Sequence, residues 1–145
     1  MFLQVTNPLN SSELIFPTLE CIHIAGFALS VGTIAIVDFR LLGLGMNHQS
    51  TAEVAADLAP WTIIGLAVML TSGPLLFSSD PDMYYLNWVF DLKMVLLLLA
   101  IIFNYTVRRK AVLSGKSAPW TKVAACVSIA LWVGVVFGGI FLAFI

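Results

Sequence analysis

Residues 88–107 read WVFDLKMVLLLLAIIFNYTV, and within them 95–103 form an unbroken apolar run. A hydrocarbon core about 30 Å thick takes roughly 20 apolar residues in a helix that rises about 1.5 Å per residue. This stretch is therefore expected to cross a bilayer as one helix. Three others qualify on the same ground, 16–44, 60–77 and 122–145, and short connections between consecutive spans make them antiparallel neighbours. The expected fold is all-α: an integral membrane up-down four-helix bundle, one four-span domain over 1–145.

Composition leads to the same class. Of 145 residues 60% are apolar and only 10% charged, with a mean hydropathy of +0.99. A soluble domain carries about 25% charge to wet its surface, so this surface is expected to face lipid. The net charge of -1 provides no broad basic field, which argues against nucleic acid as a partner. Nothing basic precedes the first span, so it does not read as a signal peptide.

Orientation follows from Lys and Arg. Arg108, Arg109, Lys110, Lys116 and Lys122 all lie in or beside the connection between the third and fourth spans, which marks it as cytoplasmic. Both termini are then expected outside, on the periplasmic side of a bacterial inner membrane. Tyr84, Tyr85 and Trp88 suit the outer interface, and Trp61, Tyr105 and Trp120 the inner one. Ser50 and Glu53 form a capping box expected to open a small interfacial helix, with Pro60 starting the second span proper.

Ionisable groups inside a membrane are functional candidates, so their depth matters. Glu20 and His23 fall roughly 6 and 10 Å below the outer end of the first span, and Lys93 and Met94 about 8 and 9 Å below that of the third. Met69 and the Thr71-Ser72-Gly73 stretch of the second span, and Gly138 and Gly139 of the fourth, reach the same layer. Lys93 opposes the positive end of its own helix dipole and needs a reason. It either pairs with Glu20 or meets a carboxylate of a bound ligand, such as a haem propionate. His23 either bonds across helices or ligates a metal, with Met69, Met94 or Lys93 as possible partners. At the cytoplasmic end, Asp38, Arg40, Asn104 and Arg108 are expected to form a structural polar network, Asp38 with Arg108 or Lys122 and Arg40 with Asp57. Cys126, Ala130, Gly134 and Gly138 make a small-residue ridge on the fourth span, expected to pack closely.

Three motifs carry a resemblance: Asp38-Phe39-Arg40-Leu41-Leu42-Gly43 after a span bearing His23, Thr71-Ser72-Gly73 ending the second, and Phe90-Asp91-Leu92-Lys93 opening the third. The chain resembles an uncharacterised family of small bacterial four-span inner-membrane proteins with a D-x-R-L-L-G stretch. More distantly its plan is similar to membrane proteins of the copper-resistance D type and of the HemJ-type protoporphyrinogen oxidase. That resemblance implies that His23 and Lys93 correspond to haem-linked positions. HemJ-type proteins carry further histidines around the third span, where this chain has Asp91 and Asn104.

Three functions stay open. One is a b-type haem protein that exchanges electrons with a partner, haem b lying among His23, Lys93, Glu20, Met69, Met94, Gly138 and Gly139. Another is a non-catalytic accessory subunit of a larger membrane complex or homo-oligomer. The third is copper or small-solute transport.

Overall fold

A computed structural model describes residues 13–45, 48–115, 118–142 and 144 of the chain. Lys116 lies outside the described residues. Six helices follow one another among the described residues: α1 Ile15–Leu41, α2 Thr51–Ser79, α3 Pro81–Tyr85, α4 Trp88–Tyr105, α5 Val107–Ser114 and α6 Pro119–Leu142. Among the described residues four segments are long and apolar enough to cross a membrane, with α4 and α5 counted as one. The protein is thus an all-α, multi-pass membrane protein.

Each boundary has a local cause. α1 ends in a Schellman motif at the close of D-x-R-L-L-G: Gly43 takes a φ of +83°, its N–H donates to the Arg40 carbonyl at 3.0 Å, and that of Leu44 to Phe39 at 2.8 Å. The glycine is needed there because a Cβ disfavours that backbone. The Ser50 box is closed in both directions, Glu53 N–H to Ser50 Oγ at 3.2 Å and Ser50 N–H to Glu53 Oε2 at 2.8 Å. It opens α2 itself. Pro60, expected to start the second span, instead lies inside a continuous helix of 29 residues. The cap nucleates the helix earlier, and the carbonyl that Pro60 leaves without a donor falls near the polar end of the span, where water can satisfy it. The third span breaks at Thr106 (φ -115°, ψ -93°) and resumes as α5, a discontinuity the apolar run did not signal. The connection between the second and third spans contains the short helix α3, opened by Pro81 in its first turn.

α1 packs most extensively on α2 and α4 on α6, and the two pairs meet mainly through α1 and α6. The first pair approaches backbone to backbone. A Cβ on Gly65 would lie 2.6 Å from the Ser30 nitrogen and 2.7 Å from the Gly26 oxygen. Without a hydrophobic effect to gather helices in lipid, such close contact at small residues supplies the dispersion energy. A hydrogen bond between Thr33 and Thr62 hydroxyls, 2.7 Å, pins the register of the same pair. The mid-bundle core is Ile34, Leu66, Met69, Leu97, Trp132 and Val135. A second cluster surrounds Val37, Val54 and Ala125, and a third joins Tyr84, Val89 and Leu142. We call the ends after Arg108 and Tyr84.

The α6 ridge divides. A Cβ on Gly134 would lie 3.2 Å from Leu96, and one on Gly138 would lie 3.1 Å from Lys93, so these two do pack against α4. Cys126 and Ala130 instead face outward, because Thr121, Ala124, Ala125 and Ser128 hold the inward face at that end.

Gly65→Leu should separate α1 from α2 and destabilise the detergent-solubilised protein by about 1–3 kcal/mol or more, the ordinary cost of overpacking. Gly32→Leu is the control, since nothing lies within 4 Å of its added Cβ. Thermal unfolding checks the pair, and equal stability of the two variants would refute the contact.

Candidate functional site

At the Arg108 end, Asp38 is fully buried on α1, and both its carboxylate oxygens are occupied. Arg108 Nε donates to Oδ1 at 2.6 Å and Ser128 Oγ to Oδ2 at 2.6 Å. The rest of the guanidinium is used as well: Nη1 donates to Asn104 Oδ1 at 2.7 Å and Nη2 to the Ile34 carbonyl at 3.0 Å. The break at Thr106 puts Arg108 in the first turn of α5, where it reaches back to Asn104 and across to α1. Two charges in a low-dielectric interior must meet each other and satisfy their remaining hydrogen-bonding capacity, and here they do. Four elements are joined at one point: α1, α4, α5 and α6.

Arg40 stands outside this network. Two residues from Asp38, it points elsewhere on the helix, and its Nε donates to the Gln49 carbonyl at 2.9 Å. Asp57, expected to pair with it, lies instead 3.5 Å from Gln49 Nε2. Lys122 is exposed and makes no ion pair with Asp38.

The Tyr84 end is built differently. His23 on α1 bonds through Nδ1 to Ser72 Oγ on α2 at 2.7 Å, and Gly73 leaves room beside the ring: a Cβ there would lie 3.6 Å from Cε1. Ser72 Oγ also donates to the Val68 carbonyl at 2.8 Å. A hydroxyl has one proton, so with that proton on Val68 the oxygen accepts from His23 Nδ1–H. Nε2 then carries a lone pair, the arrangement of a metal-ligating imidazole whose other nitrogen is held by a hydrogen bond.

Lys93 on α4 is half-buried and close enough for its charge to act at His23. Its stem crosses α6 at Gly138, and its Nζ lies 3.7 Å from where a Gly139 Cβ would stand. The two glycines, expected to flank a cofactor, therefore seat Lys93. Among the described residues no carboxylate forms an ion pair with it. Glu20 is exposed, and its charge is felt at Tyr84. Burial first, then Glu20 and Asp80, push the Tyr84 hydroxyl above its ordinary range. Met69 is 3% exposed and packed in the mid-bundle core with Leu66 and Trp132, one turn from Ser72. Met94 is 44% exposed and faces outward, because adjacent helix positions are turned about 100° apart. Two contacts thus form in this layer, His23 with Ser72 between α1 and α2 and Lys93 with Gly138 and Gly139 between α4 and α6, linked by the charge of Lys93 acting at His23; the Met69 side chain lies in the core, and Glu20 and Met94 are exposed.

Ser72 and Ser128 were not singled out as partners of His23 and Asp38. Their available signal was a small hydroxyl at the matching depth of a neighbouring span. An open apolar groove of about 420 Å³ runs along the outside of α1 and α2, walled by Leu19, Ile22, Val68 and Leu75, with Ser72 in its lining. Among the described residues, no three His, Cys, Asp or Glu side chains gather as a metal-ion site. Cys21 and Cys126 are both free and exposed. Trp132 Nε1 is buried without a hydrogen-bond partner, alone in this among the described side-chain nitrogens and oxygens.

A sequence-family model described as "Family of unknown function (DUF6644)" matches residues 13–145. No curated protein and no solved structure matches the chain.

The Ser72 contact gives a definite expectation for the imidazole. Nitrogen NMR of the histidine-labelled protein should show His23 as the Nδ1–H tautomer with an unprotonated Nε2, and Ser72→Ala should mix the tautomers. An Nε2–H tautomer in the unaltered chain would contradict the assignment.

Proposed function

The chain belongs to this family of unknown function (DUF6644), and from that premise we propose that it is a b-type haem protein of a bacterial inner membrane that exchanges electrons with a partner. The observation that carries the reading is the pairing of an oriented imidazole with an uncompensated cation: His23 held by Ser72 beside Lys93, which has no ion-pair partner among the described residues.

The donor set fits haem b at two points. His23 Nε2 would bind the iron, and Lys93 Nζ, seated on Gly138 and Gly139, would pair with a propionate. Each removes the other's oddity, since a half-buried ammonium at the positive end of a helix dipole is relieved by a carboxylate. With the Met69 side chain packed in the mid-bundle core and Met94 facing outward, the reading assigns this chain one strong ligand, His23. When bound, haem b supplies one-electron chemistry at its iron. The protein's own part would be to fix the imidazole through Ser72 and to neutralise a propionate through Lys93.

The orientation belongs to the same proposal. With Arg109, Lys110 and Lys122 exposed at the Arg108 end, that end is cytoplasmic, both termini are outside, and the His23 site lies in the outer leaflet. A second reading is a non-catalytic accessory subunit. It is favoured by Cys126 and Ala130, small residues that face outward on α6 and would let a neighbouring helix approach.

Protein purified with haem supplied during expression should show a Soret band. His23→Ala should abolish it, Lys93→Ala should weaken or shift it, and Met94→Ala should leave it intact. Colourless wild-type protein, or full haem retention by His23→Ala, would reject the haem site and leave the accessory reading.

A further inference from the structure

We propose that a cavity of about 320 Å³ at the Arg108 end, walled by Arg40, holds a phosphate group, supplied by a phospholipid headgroup. This does not rest on the haem reading, which concerns the other end of the bundle.

The cavity lies where three segments meet. Arg40 and Leu41 come from the end of α1, Thr51 and Ala52 from the head of α2, and Ala111 and Val112 from α5. Its floor is apolar and its charge comes from Arg40. That guanidinium spends Nε on the Gln49 carbonyl, and among the described residues its two terminal nitrogens meet no hydrogen-bond acceptor. Four N–H donors in a planar fork therefore remain, the geometry in which arginine grips a phosphate through two oxygens. Ser50 and Thr51 add polar residues to the lining.

No neighbouring carboxylate pairs with Arg40 among the described residues: Asp38 is taken by Arg108, the exposed Glu53 keeps its charge but turns Oε2 to the Ser50 amide, and the exposed Asp57 lies toward Gln49. Arg109, Lys110 and Lys122 are exposed at the same end and draw anionic lipid toward it. Depth selects the ligand. Trp61, Tyr105 and Trp120, respectively 54%, 45% and 46% exposed, mark the headgroup level at this end, where the abundant anion of any bilayer is the phospholipid phosphate. The proposal also gives the D-x-R-L-L-G stretch a purpose at each polar position. Asp38 joins the bundle, Arg40 faces the cavity, and Gly43 both stops the helix and lines the wall without a side chain.

The test uses the full chain, purified and stripped of lipid, with phosphatidylglycerol, diacylglycerol of the same acyl chains, and inorganic phosphate as probes. Native mass spectrometry should show a retained phosphatidylglycerol and no retained diacylglycerol. Arg40→Gln should weaken phosphatidylglycerol binding about tenfold, the scale of losing a charge-assisted contact. Ala52→Leu, which narrows the cavity and leaves Arg40 in place, should weaken it as well and keeps the test alive if Arg40→Gln fails to fold. Displacement of the lipid by millimolar inorganic phosphate would assign the same cavity to free phosphate. Equal binding by wild type and both variants, or diacylglycerol bound as tightly as phosphatidylglycerol, would overturn the proposal.

Discussion

The buried ion pair between Asp38 and Arg108 is the constraint from which the bundle takes its form. A carboxylate with no exposure to solvent is intolerable in a membrane unless every oxygen is used, and Arg108, with Ser128, uses both. The guanidinium in turn demands Asn104 and the Ile34 carbonyl. Meeting these demands together fixes α1, α4, α5 and α6 in rotation as well as depth, which apolar surfaces in a lipid solvent do poorly. α2 is then held to α1 through Gly26, Gly65 and the Thr33–Thr62 hydrogen bond.

The two ends of the bundle differ in how far their polar groups are satisfied. At the Arg108 end the central charges are consumed internally, which suits a clamp. At the Tyr84 end His23 has one nitrogen engaged, and Lys93 has its stem packed and its charge without an ion-pair partner among the described residues. Structural networks close on themselves; sites that bind something are left open. That contrast puts the candidate site at the Tyr84 end and leaves the central network of the Arg108 end to hold the helices.

Much of this was legible beforehand. Four spans followed from apolar length alone, and the layer containing His23, Lys93, Gly138 and Gly139 followed from rise per residue. What depth arithmetic lacks is rotation. Lys93 and Met94 differ by one residue, yet one lies against α6 and the other faces lipid. Glu20 and Lys93 share a layer without pairing, and Arg40 turns away from Asp57 for the same reason. The Gly26–Gly65 contact was hidden because both are single small residues in spans, whereas the four-residue spacing on α6 drew notice although half of it faces outward. Pro60 misled because a proline at a helix start and one inside a membrane helix look alike until the upstream cap is weighed.

A double-mutant cycle on Asp38 and Arg108 tests this account at its foundation. Asp38→Asn and Arg108→Gln each leave a buried charge unpaired and should each destabilise the detergent-solubilised protein by about 3–5 kcal/mol. The double variant, with neutral amides on both sides, should lose clearly less than the sum of the two. Single losses below about 1 kcal/mol that simply add would be the values of an exposed, dispensable pair and would contradict the account.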